Sequence, residues 1–205
     1  MKINVYSTNK LGTNCYLVEN YTKCIIIDPC VKYEQIFTGE NVNLDLVGVF
    51  ITHAHFDHID QIKTYQNRGL KFYMHKNAYE KLKEPSKNLS KMTGFPYAYD
   101  LDNEEVIFVG DKDKIDILGG PIIEIMYTPG HSDCSIMLII DDYMFSGDMV
   151  FRGSIGRYDF YSSNYQSILE SIERIKSLPK NYTIYPGHGN RTSLEFEKRN
   201  NPYFR

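Results

Sequence analysis

Long apolar runs are missing from this chain of 205 residues. None approaches the ~18 residues that a membrane-spanning helix needs, so no membrane partner is expected. The N-terminal stretch Met1-Lys-Ile-Asn-Val-Tyr6 has no apolar core of the kind a secretion signal carries. Cysteine is scarce, and Cys15, Cys24, Cys30 and Cys134 form no CxxC pair. Neither a disulfide scaffold nor a Cys-rich structural zinc site fits such usage; free thiols in a cytoplasmic protein do. An excess of one charge is lacking too: 23 Lys and Arg stand against 26 Asp and Glu, a net charge of -3. Phosphate binding usually leaves a basic footprint, so a nucleic-acid partner and a nuclease activity are disfavoured. Short repeats and low-complexity tracts are also missing.

What remains is an ordinary globular composition, 42% hydrophobic and 24% charged. The length fits one domain over 1–205, able to bury roughly 70% of its unfolded surface. Apolar runs broken by Gly, Pro, Asp and Asn predict strands at Ile3–Tyr6, Cys15–Glu19, Cys24–Ile27, Leu46–Ile51, Leu70–His75, Val106–Val109, Lys114–Leu118, Ile122–Thr128, Ser135–Ile140, Tyr143–Ser146 and Thr183–Tyr185. Turns are expected at Lys10–Asn14 and Asn20–Lys23. Helices are expected at Ile59–Gln66, near Asn77–Lys83, at Tyr165–Ser177 and at Thr192–Asn200, the last with Thr192 as N-cap. Residues 84–105 read as a long loop, either a flap over a site or a solvated connection. Strands and helices in both halves give an α/β or α+β class with two layers of sheet.

Five of the six histidines fall in short contexts that suit metal ligands. The densest is Thr52-His53-Ala54-His55-Phe56-Asp57-His58, directly after the apolar run Leu46–Ile51. In an extended segment residues 53, 55 and 57 point the same way, and His58, at a turn into helix, is aimed differently. Three further segments repeat one design, a strand running into a glycine turn and then a ligand-type side chain: Pro129-Gly130-His131, Gly147-Asp148 and Pro186-Gly187-His188. Glycine lets the chain turn sharply enough to present that side chain from the strand end. Any one of these, taken singly, suits a hydrogen-bonded turn residue; the set of four is what points to a metal site. Nitrogen and carboxylate donors without thiolate suit zinc, iron or manganese. Seven donors are too many for one ion, and a shared carboxylate divides them into two sets of four. His75, outside every such context, reads as structural.

At these residues the chain resembles the metallo-β-lactamase superfamily, whose hallmark is His-x-His-x-Asp-His followed by a distant His, Asp and His. The resemblance covers nearly the whole chain. It implies a four-layer αββα sandwich with the site at one edge of the two sheets. It further implies His53, His55 and His131 on one metal, Asp57, His58 and His188 on a second, and Asp148 bridging them. Within the superfamily, Phe145-Ser-Gly-Asp-Met-Val-Phe151, Ser154-Ile-Gly-Arg-Tyr-Asp159, Tyr185-Pro-Gly-His-Gly189 and Asn201-Pro202-Tyr203 resemble hydroxyacylglutathione hydrolase (glyoxalase II) and its short prokaryotic relatives. Asp60 stands where that group commonly has Gly, and Ser132-Asp133-Cys134 replaces its usual Thr-Pro-Gly. The long helical domain that helps larger members bind glutathione has no counterpart in the sequence.

The implied activity is hydrolysis of a small thioester with two divalent ions, zinc first and iron or manganese as alternatives. The ions would lower the pKa of water from 15.7 to about 7 and so supply a hydroxide nucleophile. Asp57 and Asp148 would hold that hydroxide and accept its proton, with no Ser or Cys nucleophile. Arg157 and Tyr158 are candidates for a substrate carboxylate, since an Arg fork matches one. The rival within the fold is a persulfide dioxygenase with one iron on two His and one Asp. A lactonase or β-lactamase is a further rival, and a metal-binding module with a dead site is the non-enzyme alternative.

Overall fold

The computed structural model describes residues 1–7 and 11–205. Its strands, in chain order, are β1 (Lys2–Ser7), β2 (Asn14–Asn20), β3 (Lys23–Ile27), β4 (Asp45–Ile51), β5 (Lys71–Met74), β6 (Glu105–Phe108), β7 (Lys114–Ile115), β8 (Ile123–Tyr127), β9 (Ile136–Ile140), β10 (Tyr143–Gly147), β11 (Val150–Phe151), β12 (Ser154–Ile155), β13 (Thr183–Pro186) and β14 (Thr192–Ser193). The helices are α1 (Tyr33–Ile36), α2 (Phe56–Ile59), α3 (Lys76–Leu82), α4 (Tyr165–Lys176) and α5 (Leu194–Asn200). One six-stranded sheet runs in the order β1-β2-β3-β4-β5-β6 and a second in the order β14-β13-β10-β9-β8-β7. The first is antiparallel through β1-β2-β3 and parallel from β3 to β6. The second is antiparallel except where β10 lies parallel to β13.

Side-chain alternation explains why these sheets stack in four layers. In β3 the consecutive residues Ile25, Ile26 and Ile27 are all fully buried. Ile25 and Ile27 join Tyr16, Val18, Phe50, Ile125, Leu138 and Phe145 in a core between the sheets. Ile26 points the other way, with Leu17, Val49, Ile51 and Phe72, into a second core closed by Ile59, Ile62, Ala78 and Leu82. On the far side of the second sheet Met137, Ile139 and Met144 pack against Ile168, Ile172 and Ile175 of α4 and Leu194 of α5. Each sheet is therefore buried on both faces, which is why its central strands read as continuous apolar runs instead of an alternation. This is the four-layer αββα sandwich, two sheets flanked by helices, that the sequence led us to expect.

Two local expectations are corrected. The segment 59–66 is not one helix: α2 ends at Ile59 and a 3-10 turn covers Ile62–Tyr65. Residues 59, 62 and 65 are spaced strictly by three, which is the repeat of a 3-10 turn, and all three are fully buried. The N-cap of α5 is Ser193, whose side chain accepts from the Phe196 N–H, while Thr192 belongs to β14. Residues 84–104 carry a 3-10 turn at Ser90–Thr93 and fold back on a fully buried Asn88, while residues 91–96 stay exposed. The turn expected from Lys10 begins outside the described residues. All four cysteines are buried and free, and no described helix is long and apolar enough to cross a membrane.

Candidate metal centre

The site gathers where β4, β8, β10 and β13 end, the rim at which chain ends and turns from both sheets meet. His53 and His55 leave β4 in extended conformation, and α2 begins at Phe56. That helix start corrects the expectation that residues 53, 55 and 57 face one way. His53 and His55 instead group with His131, and Asp57, now helical, groups with His58 and His188. His53, His58 and Asp148 form a third group across the middle.

The donor atoms converge closely. His53 Nε2 lies 3.1 Å and His131 Nε2 2.9 Å from His55 Nδ1. Asp148 spans both groups: its Oδ1 is 3.2 Å from His58 Nε2, and its Oδ2 is 3.5 Å from both His131 Nε2 and His188 Nε2. Asp57 Oδ2 is 3.1 Å from His188 Nε2.

The opposite ring nitrogens are already engaged. His131 Nδ1 donates to the Arg157 carbonyl (2.7 Å), His188 Nδ1 to the Leu11 carbonyl (3.1 Å), and His58 Nδ1 to Asp28 Oδ2 (2.8 Å). Each of these three rings thereby points its Nε2 at the centre, the nitrogen that a metal ion would take. His58 Nε2 and Asp148 Oδ1 are buried and have no hydrogen-bond partner among the described residues. Buried polar atoms are normally satisfied, and here nitrogen and carboxylate donors converge on one point. A divalent cation fits that arrangement.

Charge is distributed unevenly over the two groups. Burial, joined by the neighbouring rings, holds His53 and His55 well below the usual imidazole range. His58 is also buried, yet the carboxylates of Asp148, Asp57 and Asp28 hold it well above that range. Against its own burial, His188 is pushed up to about 10 by Asp148 and Asp57. Burial works against the Asp57 carboxylate too, but His58 and His188 hold it at about 2.

Two supporting groups stood out in no sequence motif. Asp28 ends β3 with a left-handed backbone (φ 55°). It accepts from the Thr52 N–H and Thr52 Oγ1, both at 2.8 Å, and from His58. Thr13 Oγ1 donates to Asp57 Oδ2 at 2.9 Å. The sequence signal for Asp28 is the Asp-Pro that closes β3; its role depends on β3 lying parallel beside β4. Gly187 is where close approach is required: an added Cβ would meet Asp148 Oδ1 and come within 2.6 Å of His58 Cε1.

Of the two substrate candidates, Arg157 is exposed and forked onto Asp159 at 2.9 and 2.8 Å. Its guanidinium lies over Phe160, and its contact with the centre is the main-chain carbonyl that receives His131. Tyr158 is 42% exposed and packs on Tyr165. His75, read as structural, caps α3 and stacks on Tyr127.

The sequence profile of the metallo-beta-lactamase superfamily matches residues 8–188. The chain belongs to this superfamily. Hydroxyacylglutathione hydrolase GloC of Haemophilus influenzae is 31% identical over 99% of this chain and 98% of its own length. Among solved structures, BLEG-1 B3 metallo-beta-lactamase superposes with a TM-score of 0.88 at 27% identity, covering 99% of each chain. TTHA1623 in a di-iron-bound form gives 0.82 at 27% identity, covering 98% of this chain and 99% of that one. The chain is thus a metal-binding hydrolase of the metallo-β-lactamase superfamily, and the donors just described lie at the strand ends of that fold.

Proposed function

We propose that the chain hydrolyses thioesters of the hydroxyacylglutathione kind. Two divalent ions, zinc first, would be held by His53, His55 and His131 and by Asp57, His58 and His188, with Asp148 shared. The observation that carries this reading is the Asp148 carboxylate, whose two oxygens face His58 on one side and His131 and His188 on the other. When bound, such ions polarise a carbonyl oxygen and supply a water-derived nucleophile at neutral pH.

The chain's own groups then orient and move the proton. Asp28 fixes the His58 ring through Nδ1, and Thr13 fixes Asp57, so neither donor rotates out of place. Asp57 or Asp148 accepts the proton of the attacking water at a carboxylate oxygen. Two ions, two aspartates and one hydroxide sum to one positive charge, which favours an electron-rich carbonyl over a cationic substrate.

The GloC relative supports the thioester. The di-iron form of TTHA1623 supports iron as the alternative ion. A dioxygenase with one iron on two His and one Asp is the second reading; the ligand set does not separate the two, whereas iron content and oxygen uptake do. The test is hydrolysis of S-lactoylglutathione by protein purified with its own metal. Turnover lost on chelation and restored by zinc is the expected result. No turnover with the metal filled, and oxygen uptake with glutathione persulfide, would replace this reading with the dioxygenase.

A further inference from the structure

Next to the metal centre, on the Asp57 side, lies a cavity of about 270 Å³ lined by Leu11, Phe56, Asp57, Asp60, Thr93, Phe95 and Tyr97. Its walls are mainly apolar, and two are exposed: Phe95 is 71% and Leu11 54% open to solvent. Apolar side chains left open beside a rim of ionisable groups mark a ligand groove more often than a packing accident. A dry cavity of about 150 Å³ already takes benzene, so this one has room for an aromatic ring or a medium alkyl chain.

The slot is built, not incidental. Asn88, fully buried, accepts the Phe56 N–H on its carbonyl at 2.8 Å, next to the donor Asp57. Its side chain donates to the Tyr97 carbonyl at 2.9 Å and accepts from the Ser90 N–H at 2.9 Å. Ser90 Oγ in turn receives the Tyr97 N–H at 2.8 Å. One buried amide therefore joins the donor loop to the segment that carries Thr93, Phe95 and Tyr97. The wall is thereby hydrogen-bonded to the loop that carries Asp57.

The charge of the lining restricts the occupant. Among the described residues, Asp57 and Asp60 are its two carboxylates, and no Lys, Arg or His lines it. Asp57 faces the metal centre, so Asp60 sets the sign of the slot away from it.

Resting on the thioesterase reading above, we infer that this slot binds an uncharged apolar group of the substrate, flanking the scissile carbonyl, and that Asp60 turns away groups ending in a carboxylate. That group belongs to either the acyl or the thiol half, and the two halves can be varied separately.

Binding is tested first without any reaction. The uncharged probe N-phenyl-1-naphthylamine is titrated by fluorescence into the metal-loaded protein. One-to-one binding, weakened about tenfold in Phe95→Ala, is expected. Phe95 is exposed, so its truncation does not threaten folding. No binding by the folded wild type, equal binding by Phe95→Ala, or binding that weakens as protein concentration rises (a second copy filling the slot) would overturn the proposal.

Turnover is the second arm. In one series, acetyl, hexanoyl and adipoyl thioesters share the thiol N-acetylcysteamine; in the other, lactoyl thioesters carry ethanethiol or hexanethiol. kcat/KM should rise about tenfold with chain length in one series, and that rise should disappear in Phe95→Ala. Where the acyl series is the one that responds, adipoyl should fall below hexanoyl and Asp60→Asn should narrow the gap. Turnover that ignores chain length in both series overturns the slot and leaves the hydrolase standing. Probe binding lost in Phe95→Ala, with no thioester turned over, supports the slot and overturns the thioesterase reading instead.

Discussion

The two halves of the metal centre are built differently. His53, His55 and His131 are all nearly fully buried and offer neutral donors, and burial pushes the His53 and His55 rings towards that neutral form. Asp57 and His188 are partly open, with side chains 14% and 26% exposed, and their half holds carboxylates against charged rings. The first half is shaped by enclosure and the second by charge. The first group is supported by the Arg157 carbonyl behind His131 and by Thr52 behind His53. The second depends on individual supports, Asp28 and Thr13, that act through single hydrogen bonds.

Breaking the shared element should erase the contrast altogether. Asp148→Asn should lower turnover by at least about 10³-fold and reduce metal content in both halves, read by metal analysis beside kinetics. Next comes Gly187→Ala, whose added methyl group is directed at Asp148 and His58. Displacing a reacting group by about 1 Å costs on the order of 10²-fold in rate, and a loss of that size with the fold intact by circular dichroism is expected. Asp28→Asn sharpens the comparison, since its direct hydrogen bond to a donor is to His58 and it reaches His53 only through Thr52. Affinity for the second ion should fall 10–100-fold, roughly the effect of losing a partner behind a ligating His, while the first ion stays bound in a chelator competition. The smallest effect is Thr13→Val, where one hydrogen bond of about 1 kcal/mol is lost. Second-ion affinity should weaken by about fivefold, with the first ion unmoved.

Much of this architecture can be read before any coordinates. The donors are legible because each sits in a short, rigid context: a strand, a glycine turn, then the side chain. His131, Asp148 and His188 are placed by such turns, and the structure brings all three beside the dense segment 53–58. The division of that segment is less legible. Strict alternation through residues 53, 55 and 57 assumes an extended chain, and the start of α2 at Phe56 rotates Asp57 into the other group. Asp28 and Thr13 escape for a different reason. Each supports a residue more than 25 positions away, and only the pairing of β3 with β4 and the approach of the 11–13 turn to the 187–189 turn bring the partners together. The slot is the extreme case, with Leu11 and Phe95 more than 80 residues apart in the chain. Length and polarity at 84–105 left a functional loop and a connection both open; the buried Asn88, which ties the segment to the donor loop, looks like any loop asparagine in the sequence.

The central claim is tested most directly by measuring metal content and S-lactoylglutathione hydrolysis on the same purified sample. The account predicts two divalent ions per chain and turnover that chelation abolishes and added zinc restores. A sample with both ions bound that hydrolyses no thioester, or one that turns over fully with a single ion, would contradict it.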